Sequence, residues 1–393
     1  MLRSMYSGIS GMKNFQTKLD VIGNNIANVN TFGYKKGRVT FKDTMNQTIS
    51  GASAAQDNRG GKNPMQVGLG TTLATIDTIH TGSSLQTTGR SLDLGIDGDG
   101  YFVVRQGDAQ FYTRAGNFYL DDNGNLVNAD GLKVQAYRVD PATGNVTNQL
   151  GDIAVNVNSI MSPTPTSNIA IEGALSATAT EDYEYMQQIK VVDSKGDSHT
   201  VEVTFKKLSG ANQWAVSING QSAGNLDFSN TPAGSLTWQL DLDNSNGADS
   251  ITIDISKLVQ EGNQSNALVN PNGNTEGSLE SFNIGAMGEI NGVYSNGLVK
   301  TLGVLALAKF SNTSGLTKAG NNLFQESINS GTANINAAGE GRGTIAAGSL
   351  EMSNVDLSEE FTEMITAQRG FQANTRIITT SDEILQELVN LKR

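Results

Sequence analysis

Two kinds of periodicity divide the chain, and they occupy different parts of it. Near the N-terminus Leu2, Met5, Ile9, Met12, Leu19 and Ile26 recur at alternating three- and four-residue spacing, with Gln16 and Gly23 at the two weak positions. Phe15, Ile22 and Val29 lie beside that row. At the other end Met364, Phe371, Ile378 and Leu385 recur every seven residues, widened by Phe361, Ile365, Leu388 and Val389. A period near 3.5 predicts helices that meet other helices along a coiled-coil seam rather than helices lying on a sheet. The run from Leu357 to Lys392 is interrupted only by Gly370 and contains no Pro. At about 1.5 Å per residue it makes a rod of roughly 50 Å, too long and too amphipathic to stand alone in water. A simple helical hairpin would still leave Tyr6, Phe15, Ile22, Ile377 and Ile384 wet unless other copies covered them.

The first helix is expected to end in the Asn-rich segment Asn24, Asn25, Asn28 and Asn30, because Asn side chains compete for helical hydrogen bonds. Gly33 follows, and residues 31–71 read as an extended connector with at most short hairpins, being rich in Gly, Ser, Asn and Gln.

Between the ends the pattern changes to period two. Leu92, Leu94 and Ile96 alternate with Asp93, Gly95 and Asp97, and strands are predicted at Tyr101–Val104, Phe111–Leu120 and Leu132–Val139. Asp-Gly and Asn-Gly pairs punctuate them, as hairpin turns that tolerate positive φ. Beyond Pro141–Gly144 come cleaner alternations: Val201, Val203, Phe205; Trp214, Val216, Ile218; Leu236, Trp238, Leu240, Leu242; and Ile251, Ile253, Ile255. Such strands belong to antiparallel sheets with one wet face. The apolar run within Gly297–Phe310 reads as a strand returning to the first β region. The predicted class is therefore a multidomain α plus all-β chain, a terminal α-helical coiled-coil domain carrying two nested, mainly antiparallel β domains. Its parts are paired helices at 1–30 and 357–393, the connector, a first β domain at 72–144 and 285–356, and an outer β domain at 145–284.

Charge supports pairing of the ends. Residues 1–45 hold seven Lys or Arg against two Asp, and residues 351–393 hold eight acids against four bases. The whole chain carries −12, so its middle is strongly acidic and repels nucleic acid and anionic membranes. No apolar run reaches the roughly 18 residues of a membrane span, and the N-terminus lacks the pattern of a secretory signal peptide. There are no cysteines, which removes disulfides, thiolate metal sites and Cys nucleophiles.

Candidate chemistry is sparse. His80 and His199 stand without partners in sequence and read as solvated surface residues. Asp241–Gly247 begins like a calcium loop, but its Gly comes one place late and its twelfth position is Thr252. No nucleophile elbow, zinc-protease motif or phosphate loop occurs, so neither an enzyme, a cofactor nor a metal is expected.

The terminal motifs carry a resemblance. Ser7-Gly8-Ile9-Ser10-Gly11-Met12 and Leu19-Asp20-Val21-Ile22-Gly23-Asn24-Asn25-Ile26-Ala27-Asn28-Val29-Asn30-Thr31-Phe32-Gly33-Tyr34-Lys35 resemble the N-terminal signature of bacterial flagellar rod and hook proteins. Ser353-Asn354-Val355-Asp356-Leu357 and Ala367-Gln368-Arg369-Gly370-Phe371-Gln372-Ala373-Asn374 resemble their C-terminal one, with Gly370 where the family often has a larger residue. Leu92–Val104 and Tyr294–Gly297 are similar to the family's first β domain. The large second β region is similar to the hook branch of the family; the distal rod branch is the neighbouring alternative, and a secreted β-rich adhesin the distant one.

The resemblance implies a curved tubular polymer of many copies that joins rod to filament and transmits torque. It implies contacts with rod and hook–filament junction proteins, a hook cap during assembly, and passage through the flagellar export apparatus without a cleaved signal peptide. The assembly residues, taken from the two apolar seams, are Leu2, Met5, Ile9, Met12, Leu19, Ile22, Ile26, Phe361, Met364, Phe371, Ile378 and Leu385. The family motif residues are Asn24, Asn25, Asn28, Asn30, Gly33, Gln368, Arg369 and Asn374.

Overall fold

A computed structural model describes residues 2–55, 59–140, 144–156, 159–210, 212–228, 235–240 and 249–391; at 2, 235–240 and 249–250 the description stops at the backbone. The side chains of Leu236, Trp238 and Leu240, all of Leu242, the loop Asp241–Gly247, the proposed boundary at Pro141 and the helix end at Lys392 therefore lie outside the described residues.

The chain forms two compact units. One comprises Met1–Val155, Asn283–Asn291 and Thr301–Arg393, and the other Asn156–Phe282 and Gly292–Lys300. Each is entered and left twice, so the nesting expected from sequence is present in the chain path.

The second unit is built on two four-stranded sheets. One runs Ser235–Leu240, Asp249–Gln260, Asn168–Leu175, Leu268–Pro271, and the other Glu184–Val192, Ser198–Lys207, Gln213–Ile218, Gln221–Asp227. Both draw on one core, where Ile169, Val203, Phe205, Trp214, Val216 and Ile253 are essentially dry. Every residue of the alternating sets at 201–205, 214–218 and 251–255 is buried there. Pairing is antiparallel except between Asn168–Leu175 and Asp249–Gln260, which run parallel.

In the first unit the strands Lys133–Val139, Tyr101–Gln106, Ala109–Thr113, Leu323–Gln325 and Thr317–Gly320 lie side by side, antiparallel, and residues 303–305 pair with 136–138. Tyr101, Tyr112, Phe310 and Phe324 make edge-to-face contacts in its core. His80 joins them, its Nδ1 2.7 Å from the Tyr101 hydroxyl and its ring against Phe324, so it is not the solvated residue expected from sequence. Burial and the cations Lys35, Lys318 and Arg114 push its pKa down to about 4. Further along the Thr301–Arg393 segment Thr344–Ala347 pairs with Leu94–Asp97 and Ser349–Glu351 with Leu85–Thr87.

Two long helices complete the first unit: α1, Leu2–Ala27, and α2, Leu357–Asn390. Helix α1 stops where the Asn cluster begins to cap its own backbone, with Asn28 Nδ2 donating to the Asn24 carbonyl at 2.9 Å. Helix α2 starts at Asp356, whose carboxylate accepts from the Ser358 and Glu359 amides, and Glu359 and Glu360 follow in the first turn, where the helix dipole favours anions. The connector is a jointed β-ribbon. Strand β1 (Gly37–Asp43) pairs with β4 (Thr71–Thr78), and between them β2 (Asn46–Ser50) pairs with β3 (Met65–Gly68).

Candidate assembly surface

The helices lie antiparallel, as the contact order requires: residue 8 of α1 faces 374–378, residue 11 faces 374, Phe15 faces Gly370 and Lys18 pairs with Glu363. Glycines permit the approach. A Cβ at Gly11 would stand 2.8 Å from the Asn374 side chain, and one at Gly370 would stand 2.6 Å from the Phe15 ring. Gly370 is thus a seat for Phe15, which explains a small residue there.

The residues that the pair buries on α2 are Glu360, Ala367 and Ser381, with Asn374 half-buried between them. They recur every seven positions, so a small, polar row occupies the dry seam. Of the twelve residues marked from sequence, Ile22 is buried, and Met5, Met12, Leu19, Ile26, Met364, Ile378 and Leu385 are half-buried. Ile9, Phe361 and Phe371 are exposed, and the Leu2 side chain is not described. Tyr6, Ile365, Ile377, Ile384, Leu388, Val389 and Leu391 are exposed as well, Tyr6 to 70% and Leu391 to 82%. Phe15 and Ile22 depart from the expected exposure, because Phe15 stacks on Phe41 of β1 and on Gly370, and Ile22 sinks beside the ribbon. What remains is a set of large apolar side chains left exposed along both helices of one molecule, the kind of surface that marks an interaction site.

Below the helices the two chain ends are fastened to the first β unit by buried polar contacts. Glu351 Oε1 accepts from Lys35 Nζ at 2.7 Å and from the Ser83 amide at 3.1 Å; its Oε2 accepts from Arg114 NH1 at 3.1 Å. The Lys35 and Glu351 side chains are wholly inaccessible and Arg114 nearly so. Lys35 also donates to the Thr81 carbonyl, and burial lowers its pKa despite the adjacent carboxylate. Asn354 adds a second fastening, accepting from the Lys36 amide at 2.8 Å and donating to the Ile79 carbonyl at 2.8 Å.

The motif asparagines have related work. Asn25 is buried; its Nδ2 donates to Glu360 Oε2 at 3.1 Å and to the Gly37 carbonyl at 2.9 Å, while its Oδ1 accepts from the Gly37 amide. Burial raises the Glu360 pKa, opposed by that bond and by Lys36. Asn24 donates to the Tyr34 hydroxyl, and Asn28 accepts from Thr31. Gly33 holds φ +70° and donates to the Glu351 carbonyl at 2.8 Å; a Cβ there would fall 2.5 Å from the Ala115 nitrogen. Asn374 Nδ2 donates to the Gly370 carbonyl, whereas Asn30, Gln368 and Arg369 are exposed. Sequence reasoning did not single out Glu351, Arg114 or the Asn25–Glu360 pairing, and took Asn354 only as part of the C-terminal motif. A lysine inside the otherwise apolar and amide-rich N-terminal motif was the one available signal.

Among the described residues no cluster of His, Asp or Glu is arranged to hold a metal, and no helix is long and apolar enough to cross a membrane.

Residues 5–35 match a family model described as flagella basal body rod protein, and residues 346–391 one for the C-terminal region of flagellar basal body rod FlgEFG proteins. Residues 95–177 match the flagellar hook protein FlgE/F/G D1 domain and residues 156–322 the flagellar basal body protein FlaE D2 domain. The chain is 40% identical to the flagellar hook protein FlgE of Borreliella burgdorferi and 41% identical to the flagellar basal-body rod protein FlgG of Bacillus subtilis, each covered over 100% of both chains. The crystal structure of the flagellar hook protein FlgE2 of Helicobacter pylori superposes with a TM-score of 0.55 at 13% identity, over 68% of this chain and 100% of that one, a likeness of fold.

Proposed function

This chain belongs to the flagellar hook and basal-body rod protein family and is a structural subunit of the hook, and we propose that its assembly is driven by the apolar surface that α1 and α2 leave uncovered. In this reading the helices at 1–30 and 357–393 form an inner core, 72–144 with 285–356 a first β domain, and 145–284 an outer domain. The marked seam residues other than Ile22, which its own molecule already buries, together with Tyr6, Ile365 and Leu388, are the contact set between copies. Burying even eight large side chains at roughly 1.5–3 kcal/mol each exceeds any gain from exposed ion pairs, which contribute about 0–1 kcal/mol.

The observation that carries this reading is the inversion at the helix pair. A seam of Glu360, Ala367, Asn374 and Ser381 is turned inward while Phe361, Ile365 and Leu388 face water. A helical hairpin that served only its own monomer would place those groups the other way round. Many copies around a common axis bring the uncovered rows together, the helical core carries torque, and the outer domains exchange polar contacts as the tube bends. Rod and junction proteins, a hook cap and the flagellar export apparatus are the partners that such a subunit meets, and it works outside the cytoplasm without a cleaved signal peptide.

A rod role is the second reading, favoured by the full-length likeness to a protein named as a rod subunit. Electron microscopy of the purified full chain at rising concentration distinguishes them. Curved tubes support the hook, straight rods favour the alternative, and a monomer at every concentration refutes both.

A further inference from the structure

A cleft of about 300 Å³ opens in the first β unit, lined by His80, Tyr101, Arg114, Lys309, Phe310 and Ser311. Two buried donors on its lining are left over by the fold. Arg114, 2% exposed, spends NH1 on Glu351 and NH2 on the Gly98 carbonyl at 2.8 Å, but its Nε is buried and meets no acceptor among the described residues. His80 is the second case. Its Nδ1 lies 2.7 Å from the Tyr101 hydroxyl, which has no other partner among the described residues, so that hydroxyl donates to Nδ1 and the proton of the neutral ring sits on Nε2. Burial keeps both groups in those states near neutrality, holding the Tyr101 pKa up to about 12 and the His80 pKa down to about 4. His80 Nε2 is buried and likewise finds no acceptor in the protein. Buried N–H groups are nearly always paired, so two orphans on one cleft require an explanation.

The cleft is also positive. Lys35, Lys318 and Arg114 all act on His80, and Lys309 stands on the lining, its Nζ donating to the Gly341 carbonyl at 2.9 Å and lying 3.6 Å from Asp99. Two carboxylates answer these four cations. Glu351 is already shared by Lys35 and Arg114, and the Asp99 side chain is 79% exposed. A local excess of positive charge within a chain of −12 is more than the fastening of the chain ends needs.

We propose that this cleft binds one small oxyanion, a carboxylate or a phosphate, whose oxygens accept from Arg114 Nε, His80 Nε2 and the Lys309 ammonium. Water accepts a hydrogen bond but brings no charge, whereas an oxyanion supplies several acceptors and offsets the cations together. The Ser311 hydroxyl adds a donor on the lining, and the Tyr101 and Phe310 rings, edge to face at 5.9 Å, wall the space left for a short organic body. The site needs no second copy, so it stands independently of the hook reading.

Equilibrium dialysis of the full chain against radiolabelled inorganic phosphate, and separately against acetate, reads the binding at an ionic strength held constant with chloride. One oxyanion per chain should be retained, and the melting temperature of the first unit should rise with its concentration. Lys309→Gln and Ser311→Asp change side chains that are partly or largely exposed and lie outside the Glu351 fastening. Both variants should melt as the parent does without the oxyanion and weaken retention about tenfold or more, the loss expected for one charge-assisted hydrogen bond. Tighter retention of phosphate assigns a phosphorylated ligand, and tighter retention of acetate a carboxylate. No retention of either, or retention unchanged in both variants, overturns the site. Neither readout depends on polymerisation, so that failure would leave the hook reading standing.

Discussion

Replacing Glu351 by Gln keeps the shape of the fastening and removes its only carboxylate. Two cations, Lys35 and Arg114, then share a site in which the Lys35 and Glu351 side chains are inaccessible to solvent and Arg114 is almost so. The Gln carbonyl can still accept from Lys35 and from the Ser83 amide, but its NH2 group confronts the Arg114 guanidinium, donor against donor. Removing one partner of a buried ion pair costs about 3–5 kcal/mol. For a unit of this size that corresponds to a fall of roughly 6–20 °C in melting temperature. The molecule contains its own control, because both tryptophans, Trp214 and Trp238, belong to the second unit. Far-UV circular dichroism should show the transition of the helices and first β unit moving down, while the tryptophan fluorescence transition stays where it was. Coincident movement of both signals, or of neither, would refute the assignment of Glu351 as the local fastening of the chain ends.

Three further outcomes follow from the same geometry. Burial raises the Glu360 pKa, so its contribution is fully present below the ordinary carboxylate range and is lost as pH rises through the raised value. Glu360→Gln should therefore melt higher than the parent at pH 7 and show no difference at pH 4; a lower melt at pH 7 contradicts this. His80 is held down to about 4, so the first unit should lose stability as pH falls from about 6.5 toward 4, and His80→Gln should flatten that part of a melting-temperature profile. Gly33→Ala meets both a left-handed φ and backbone atoms of Arg114 and Ala115, and should cost about 2 kcal/mol or more in urea unfolding; a change under about 0.5 kcal/mol is the contrary result.

Much of the fold is written in spacing. The strands at 201–205, 214–218 and 251–255 alternate because one sheet face meets the shared core and the other meets water, and the paired periods at the ends follow from helices that need a partner. The seam was harder to read. Large apolar residues at seven-residue spacing draw attention, yet the row turned inward on α2 is Glu360, Ala367, Asn374 and Ser381, at the same spacing but offset. Period alone does not say which of two parallel rows faces the partner helix and which faces neighbouring molecules. Glycines at 8, 11 and 370 carried the missing information, since close backbone approach selects small and polar groups between the helices. The buried fastening was illegible for a different reason: Lys35, Arg114 and Glu351 are far apart in the chain, and an isolated charge gives no sign of where its partner lies. His80 likewise reads as a surface residue until the fold sets it among Tyr101 and Phe324.

The central claim, that copies gather to dry the surface left by α1 and α2, is tested most directly by sedimentation velocity on the full chain and on a chain reduced to residues 31–356, compared at equal concentration under polymerising conditions. The full chain should sediment as large tubes, and the shortened chain should remain a slow, folded species at every concentration. Tubes formed equally well by residues 31–356 would contradict the account.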